Sequence, residues 1–361
     1  MPYEADLEPA TVVLLGAGAS ADAGLPTTQD LHGELRGRLE PLYQNLATLV
    51  FTNQHVDVER LFRVIEFIHT VETRERPSDR QVLHESHDIA RLVSAWTPDV
   101  QEYIDTQGAA VGGTPTGELI DHLYDQLWQL LWIGPDDSRD LDYLRKLLDA
   151  SRGGTIVTLN YDNALEAASL VGLPIPIDTR PRPKDRSLPV PGGTKWVRIV
   201  KLHGSLNWIT DKSSGSVTTL STTELLTTRL AAQWSGARPP TPGIIFGAGN
   251  KLRAAGPYLD LYIEFRAALC DAQRLIIIGY GFRDEHVNEL LKQWIEEPTR
   301  RPKLVRVSDH TNGRAWSDLE HWRRAHPNVR LEVIVGGAAS TMDDLLKPTP
   351  ALLRAPTIPD I

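Results

Sequence analysis

The sequence predicts an α/β protein: a parallel β-sheet covered by helices on both faces, with a helical insertion after the first βα unit. Three observations carry this expectation. Short runs that are almost wholly apolar and β-branched recur along the chain, helical patterns separate several of them, and the runs end in glycine or short polar residues. A strand buried on both faces reads in this way, and ligands of such sheets bind beyond the strands' carboxyl ends.

Thr11-Val12-Val13-Leu14-Leu15 is the first such run and stops at Gly16. From Thr27 to about Ala150 apolar residues fall three and four apart, in Val58-Leu61-Phe62-Ile65-Ile68 and in Leu119-Leu123-Leu127-Leu130-Leu131, which is the spacing of amphipathic helices. Trp128 and Trp132, four apart, extend the second stripe as packing residues. Strand character returns at Thr155–Leu159, Val197–Val200, Gly243–Phe246, Arg274–Ile278, Leu304–Val307 and Leu331–Val335. The stretches 178–194, 211–223 and 235–242 are rich in Pro, Gly, Ser or Thr and read as loops. The resulting division is a first strand and loop over 1–27, a helical insertion over 28–150, the rest of the sheet domain over 151–340 and a tail over 341–361.

Composition narrows the function classes. Of 361 residues 41% are hydrophobic and 24% charged, enough for a sizeable core, and no apolar run approaches the roughly 18 residues needed to cross a bilayer. The acidic start Met1-Pro2-Tyr3-Glu4-Ala5-Asp6 is unlike an export signal, so the cytoplasm is the expected location. A formal charge of −9 works against non-specific nucleic-acid binding, which needs many cationic contacts. The single cysteine, Cys270, rules out a multi-thiolate zinc site. It reads as a small core residue.

Four segments can carry chemistry. Gly16-Ala17-Gly18-Ala19-Ser20, followed by Gly24 and Pro26, comes directly after the first strand. Its glycines allow a sharp turn and close backbone approach to a pyrophosphate, and Ser20 is placed to cap a following helix. Ala21 stands where the dehydrogenase fingerprint needs its third glycine. In Asn160-Tyr161-Asp162 an amide and a carboxylate two apart follow a strand, and Asp162 is equally suited to capping the next helix. His203-Gly204 sits at another strand end, where an imidazole suits general-base work near neutral pH. Gly279-Tyr280-Gly281-Phe282-Arg283-Asp284 is a glycine turn before a helix, which Asp284 would cap.

Together, in this order, the four segments resemble the SIR2-like NAD-binding family. The resemblance covers about Thr11 to Val335 and is closest to its bacterial antiphage-defence branch. Thr27-Thr28-Gln29 after the proline and the lone cysteine depart from the zinc-containing deacylases. What the resemblance implies is a Rossmann-like sheet and an NAD+ hydrolase that cleaves the nicotinamide–ribose bond and so depletes NAD+ in infected cells. It implies homo-oligomers, a possible ATPase or other sensing partner, and no requirement for metal. In that reading Asn160 places the water, His203 handles a proton at a ribose hydroxyl, and Asp162 faces the nicotinamide side. Gly16, Ala17, Gly18, Ser20, Gly24 and Pro26 hold the pyrophosphate, while Gly279, Tyr280, Gly281, Ser308 and Asp309 take the adenosine ribose. The rival readings are an NAD-dependent deacylase or ADP-ribosyltransferase, and a non-catalytic NAD or ADP-ribose sensor.

Overall fold

The computed structural model describes residues 11–38, 62, 65, 66, 69, 115–181, 195–211, 216–235, 241–245, 257–297, 303–309, 319–321, 324 and 326–348. Its strands are β1 (Thr11–Leu15), β2 (Thr155–Thr158), β3 (Ile177–Asp178), β4 (Val197–Lys201), β5 (Gly204–Thr210), β6 (Val217–Thr219), β7 (Pro242–Ile244), β8 (Arg274–Ile278), β9 (Lys303–Asp309) and β10 (Val329–Val335). Its helices are α1 (Thr28–Arg38), α2 (Pro115–Leu131), α3 (Asp142–Ala150), α4 (Ala164–Leu170), α5 (Thr222–Ser235), α6 (Tyr258–Asp271), α7 (Glu285–Glu296) and α8 (Ala338–Leu346). No described helix is long and apolar enough to cross a membrane.

Seven strands form one parallel sheet in the order β10-β9-β8-β1-β2-β4-β3. The architecture is α/β and Rossmann-like, as the buried apolar runs predict. β1 is buried throughout and lies between β2 and β8, with Leu15 opposite both Thr158 and Ile278. On one side of β1 lie β2, β4 and the two-residue edge strand β3; on the other lie β8, β9 and β10 in chain order. The switch in strand order therefore falls between β1 and β8, and such a switch opens a crevice at the carboxyl ends.

The chain divides into two compact units, one of Met1–Thr27, Trp132–Thr219 and Leu252–Ile361, the other of Thr28–Leu131 and Leu220–Lys251. In the first, alternate strand residues bury on opposite faces. Val13, Leu15, Ile156, Ile199, Ile276 and Ile278 pack with α3, α4 and α8 through Leu144, Leu148, Ala168 and Met342. On the other face α6 packs on β4, and α7 lies beside α6. In the second unit Leu31, Leu35, Phe62, Ile65, Leu119, Leu123 and Leu127 are buried, so the leucines four apart do form a packing stripe. Phe62 and Tyr124 pack ring to ring at 5.5 Å, and the Arg229 guanidinium lies 4.4 Å from the Trp128 ring centre.

Several features differ from the sequence reading. α3 lies within 28–150 yet packs with the sheet unit, where Asn163 draws in the segment before it: its amide accepts from Ile133 N–H at 2.7 Å and donates to Ile133 O at 2.9 Å. The stretch 211–223 contains β6, which pairs antiparallel with β5. α8 runs through position 341, where the tail was expected to begin. Its final carbonyls, Leu345 O and Lys347 O, accept from the Arg274 guanidinium at 2.6 and 2.7 Å. Cys270 is exposed. The helix buries Leu261, Phe265 and Leu269 on one face, and Cys270 lies about 100° around from Leu269.

Candidate functional site

Two glycine turns meet at the switch point. The first follows β1, the second follows β8, and their main chains are in direct contact: Gly16 N–H donates to Ile278 O at 2.9 Å and Gly18 N–H to Gly279 O at 3.0 Å. A methyl on Gly279 would stand 2.1 Å from Ala19 N, and one on Gly16 would stand 2.6 Å from Gly279 O. Gly279 also has φ +62°, a conformation strained for any residue with a side chain. Close backbone approach is thus required here by the opposite turn itself.

The first turn does not open into a long helix. Two short 3₁₀ turns, Ala17–Ala19 and Ala21–Ala23, follow it, and Gly24 closes the second with φ +74°. The helix that Ser20 was placed to cap is therefore replaced at this turn by 3₁₀ structure. The N–H groups of Gly18, Ala19 and Ser20 donate to Gly279 O, Gly16 O and Ala17 O. Among the described residues the half-buried Ala17 N–H has no such acceptor. The loop is braced from outside as well. Tyr143 hydroxyl donates to Ala19 O at 2.8 Å, Arg139 donates to Gly24 O at 2.9 Å, and Ala339 N–H donates to Asp22 at 2.7 Å. Burial, with Asp22 and Asp162 nearby, pushes the Tyr143 phenol well above its usual range.

Asn160, Ser20 and Asp162 come together in one hydrogen-bonded string. Asn160 Nδ2 donates to Gly16 O at 3.0 Å and to Ser20 Oγ at 3.2 Å, and the Ser20 hydroxyl donates to the Asp162 carboxylate. The Gly16 carbonyl can only accept, so the amide orientation is fixed by chemistry. Asn160 therefore spends its donating end on the glycine turn and keeps Oδ1, which accepts from no described residue. Ser20 does not cap, because its hydroxyl is used here. Asp162 Oδ1 accepts from Ala164 N–H at 3.0 Å, starting α4. The N-cap residue of α4 is Asn163, which makes no side-chain cap bond, so Asp162 braces the turn ahead of the helix rather than standing at the cap position.

Below this string lies a buried cation. Lys201, at the end of β4 and 1% exposed, places Nζ 2.7 Å from Asp162 O, 2.8 Å from Ser205 Oγ and 2.7 Å from Glu166 Oε1. Burial raises the Asp162 carboxyl above its usual range; the Lys201 charge and the hydrogen bonds from Ala164 and Ser20 oppose that rise, and Glu166 adds to it.

His203 follows β4, is 3% exposed, and faces the second glycine turn. Its Nε2 lies 2.8 Å from Asp284 Oδ2, while Asp284 Oδ1 caps α7 by accepting from His286 and Val287 N–H. Tyr262 hydroxyl lies 3.4 Å from the same Nε2. No hydrogen bond joins Asn160 to His203 among the described residues. They are adjacent through Tyr161, whose ring is 6.2 Å from that of His203.

The other predicted residues occupy several settings. Tyr280 turns inward, with its ring 4.7 Å from Phe282 and its hydroxyl on Asp284 O and Asn288 Oδ1. Gly281 is exposed, and a methyl there would touch nothing. Pro26 is half-buried and Asp309 closes β9. Ser308 hydroxyl donates to Gly336 O at 3.1 Å and accepts from Thr341 at 2.9 Å. Lys201, Glu166 and Tyr262 lie outside the sequence-derived set, and Asp284 enters it only as a cap. Among the described residues no three His, Cys, Asp or Glu side chains cluster as a metal site.

These elements define a doubly wound α/β protein with a polar corner at its topological switch. Residues 154–320 match the family model described as a SIR2-like domain. The match spans Asn160, Asp162, His203, Asp284 and Ser308; the Gly16–Pro26 turn precedes it. Solved structures with similarity include a Sir2 homologue–NAD complex, 11% identical with a TM-score of 0.42, covering 93% of this chain and 87% of that one. A Sir2 homologue variant with ADP-ribose is 14% identical at TM-score 0.42 and covers 93% and 90%. A structure on the mechanism and regulation of Sir2 enzymes is 11% identical at 0.44 and covers 95% and 92%. No curated protein matches the sequence.

Proposed function

We propose that this chain binds NAD+ at the β1–β8 switch and hydrolyses it to nicotinamide and ADP-ribose. The observation that carries the reading is Asn160: its amide nitrogen is tied to Gly16 and Ser20, so its Oδ1 is a fixed acceptor beside a carboxylate. A fixed acceptor can orient one water, and nearby negative charge favours a sugar that becomes cationic. The match to a SIR2-like domain supports NAD+ as the substrate.

In the reaction the bond from C1′ to the pyridinium nitrogen breaks and its electron pair leaves with neutral nicotinamide. Water attacks C1′ and loses a proton, giving ADP-ribose. Asn160 orients that water, His203 manages a proton at the ribose, and Asp162 complements the developing charge. The turns Gly16–Ser20 and Gly279–Gly281 take the pyrophosphate and adenosine sides, with Gly24 and Pro26 shaping the first and Ser308 and Asp309 at the margin of the second. In a bacterial cytoplasm such an activity would exhaust NAD+ on infection, held in check by self-association or by a sensing partner.

The test is incubation of the purified chain with NAD+ at several protein concentrations, with products separated by chromatography. Equimolar nicotinamide and ADP-ribose are expected. An ADP-ribose conjugate in place of free ADP-ribose would assign a transferase, and intact NAD+ despite measurable binding would assign a sensor.

A further inference from the structure

We infer that Asp284 is a positioning residue for His203, holding the proton on Nε2 and making Nδ1 the basic nitrogen of the ring. The kinetic consequence rests on the NAD+ cleavage proposed above; the pairing itself does not.

Capping accounts for only half of the Asp284 carboxylate. Oδ1 takes the N–H groups of His286 and Val287 at 3.0 and 3.1 Å, and one oxygen is all that an N-cap requires. Oδ2 is directed instead at His203 Nε2, 2.8 Å away and 81 residues earlier in the chain. Both side chains are nearly sealed, at 4% and 5% exposure, where a carboxylate without a donor on each oxygen is costly. The Tyr262 hydroxyl is a distant second donor to Oδ2, at 3.5 Å, but a ring nitrogen 2.8 Å from a carboxylate oxygen must itself carry hydrogen, because a carboxylate can only accept. In a neutral imidazole the lone pair is then on Nδ1.

The turn that delivers Asp284 is built to hold it. Tyr280 hydroxyl reaches Asp284 O at 3.1 Å and Asn288 Oδ1 at 2.9 Å, and Asn288 Nδ2 donates to Phe282 O at 2.9 Å. Phe282 is kept at φ +52°, unusual for a residue with a bulky side chain. A cap alone needs no such scaffold, since any short polar residue in extended conformation serves. The arrangement is that of a base whose second nitrogen is oriented by a buried acid.

The experiment compares wild type with Asp284→Asn and Asp284→Ser. Both variants keep a cap acceptor. Asparagine also offers Nε2 an amide donor, whereas serine is too short to reach the ring. Two readouts are taken: nicotinamide-release kinetics, and ring ¹⁵N shifts of His203 at about pH 8, assigned by their loss in His203→Gln. Wild type is expected to show a proton on Nε2, and Asp284→Asn to shift it toward Nδ1. In both variants kcat should fall about a hundredfold while KM for NAD+ changes less than about threefold. A bare Nε2 in the wild type overturns the inference, as does an unchanged or raised kcat in the variants. If the wild type releases no nicotinamide, the cleavage reading fails and the ¹⁵N shifts decide the pairing alone.

Discussion

The tips of β2 and β9 lie at the same end of one parallel sheet, and both carry short polar residues, but they use those residues differently. At β9, Ser308 donates to Gly336 O and accepts from Thr341, so its hydroxyl joins β9 to the turn before α8. At β2, Asn160 donates to Ser20 and to the glycine turn, and its amide oxygen accepts from no described residue. A position beyond the carboxyl end of a strand gives access to a crevice. Chemistry requires in addition a hydrogen-bonding atom that the fold does not consume.

That contrast can be broken by mutation. Asn160→Ala and His203→Ala should reduce nicotinamide release to below about a hundredth of wild type in protein whose circular dichroism is unchanged. Retention of activity in Asn160→Ala would remove the distinction of the β2 tip. Lys201→Met strips Glu166 of its buried partner and should destabilise the fold by about 3–5 kcal/mol, measured by urea unfolding; a smaller loss would show that Glu166 finds solvent.

Asp162 gives a pH test. Burial sets its folded pKa above the ordinary 3.8, so the native chain holds the proton more tightly than the unfolded one. The stability this provides is complete below the unfolded pKa and is lost as pH rises through the folded value. Asp162→Asn keeps an acceptor for Ala164 N–H and does not titrate. Its stability relative to wild type should climb from about pH 4 upward and then level off; a difference independent of pH would contradict the burial argument. Ser308→Ala is the mildest change. It should cost about 1 kcal/mol of stability and leave KM within about threefold, and a large rise in KM would instead make β9 a true ligand-binding tip.

The parallel sheet was legible because its strands are short apolar runs closed by glycine or polar residues, as in Thr11–Leu15 and Arg274–Ile278. β5 was not, since Gly204-Ser205-Leu206-Asn207-Trp208 mixes polar residues into a strand whose first five positions are all buried. Asn160, Asp162 and His203 were legible from their places at strand ends. The partner of His203 was not, because a helix-capping aspartate looks the same in sequence whether its second oxygen meets water or an imidazole. The Lys201–Glu166 pair escaped for a related reason: β4 ends in a lysine that reads as surface, and only the fold shows it buried against Glu166, Ser205 and the Asp162 carbonyl.

The contact of Gly16 and Gly18 with Gly279 also limits how such a pocket can be remodelled. Each turn is the steric wall of the other, so a side chain introduced into one must be answered by main-chain movement in a loop encoded at the far end of the gene. New substrate preference, whether by natural drift or by engineering, has no foothold at these positions. It has to enter where the wall is open, as at Gly281.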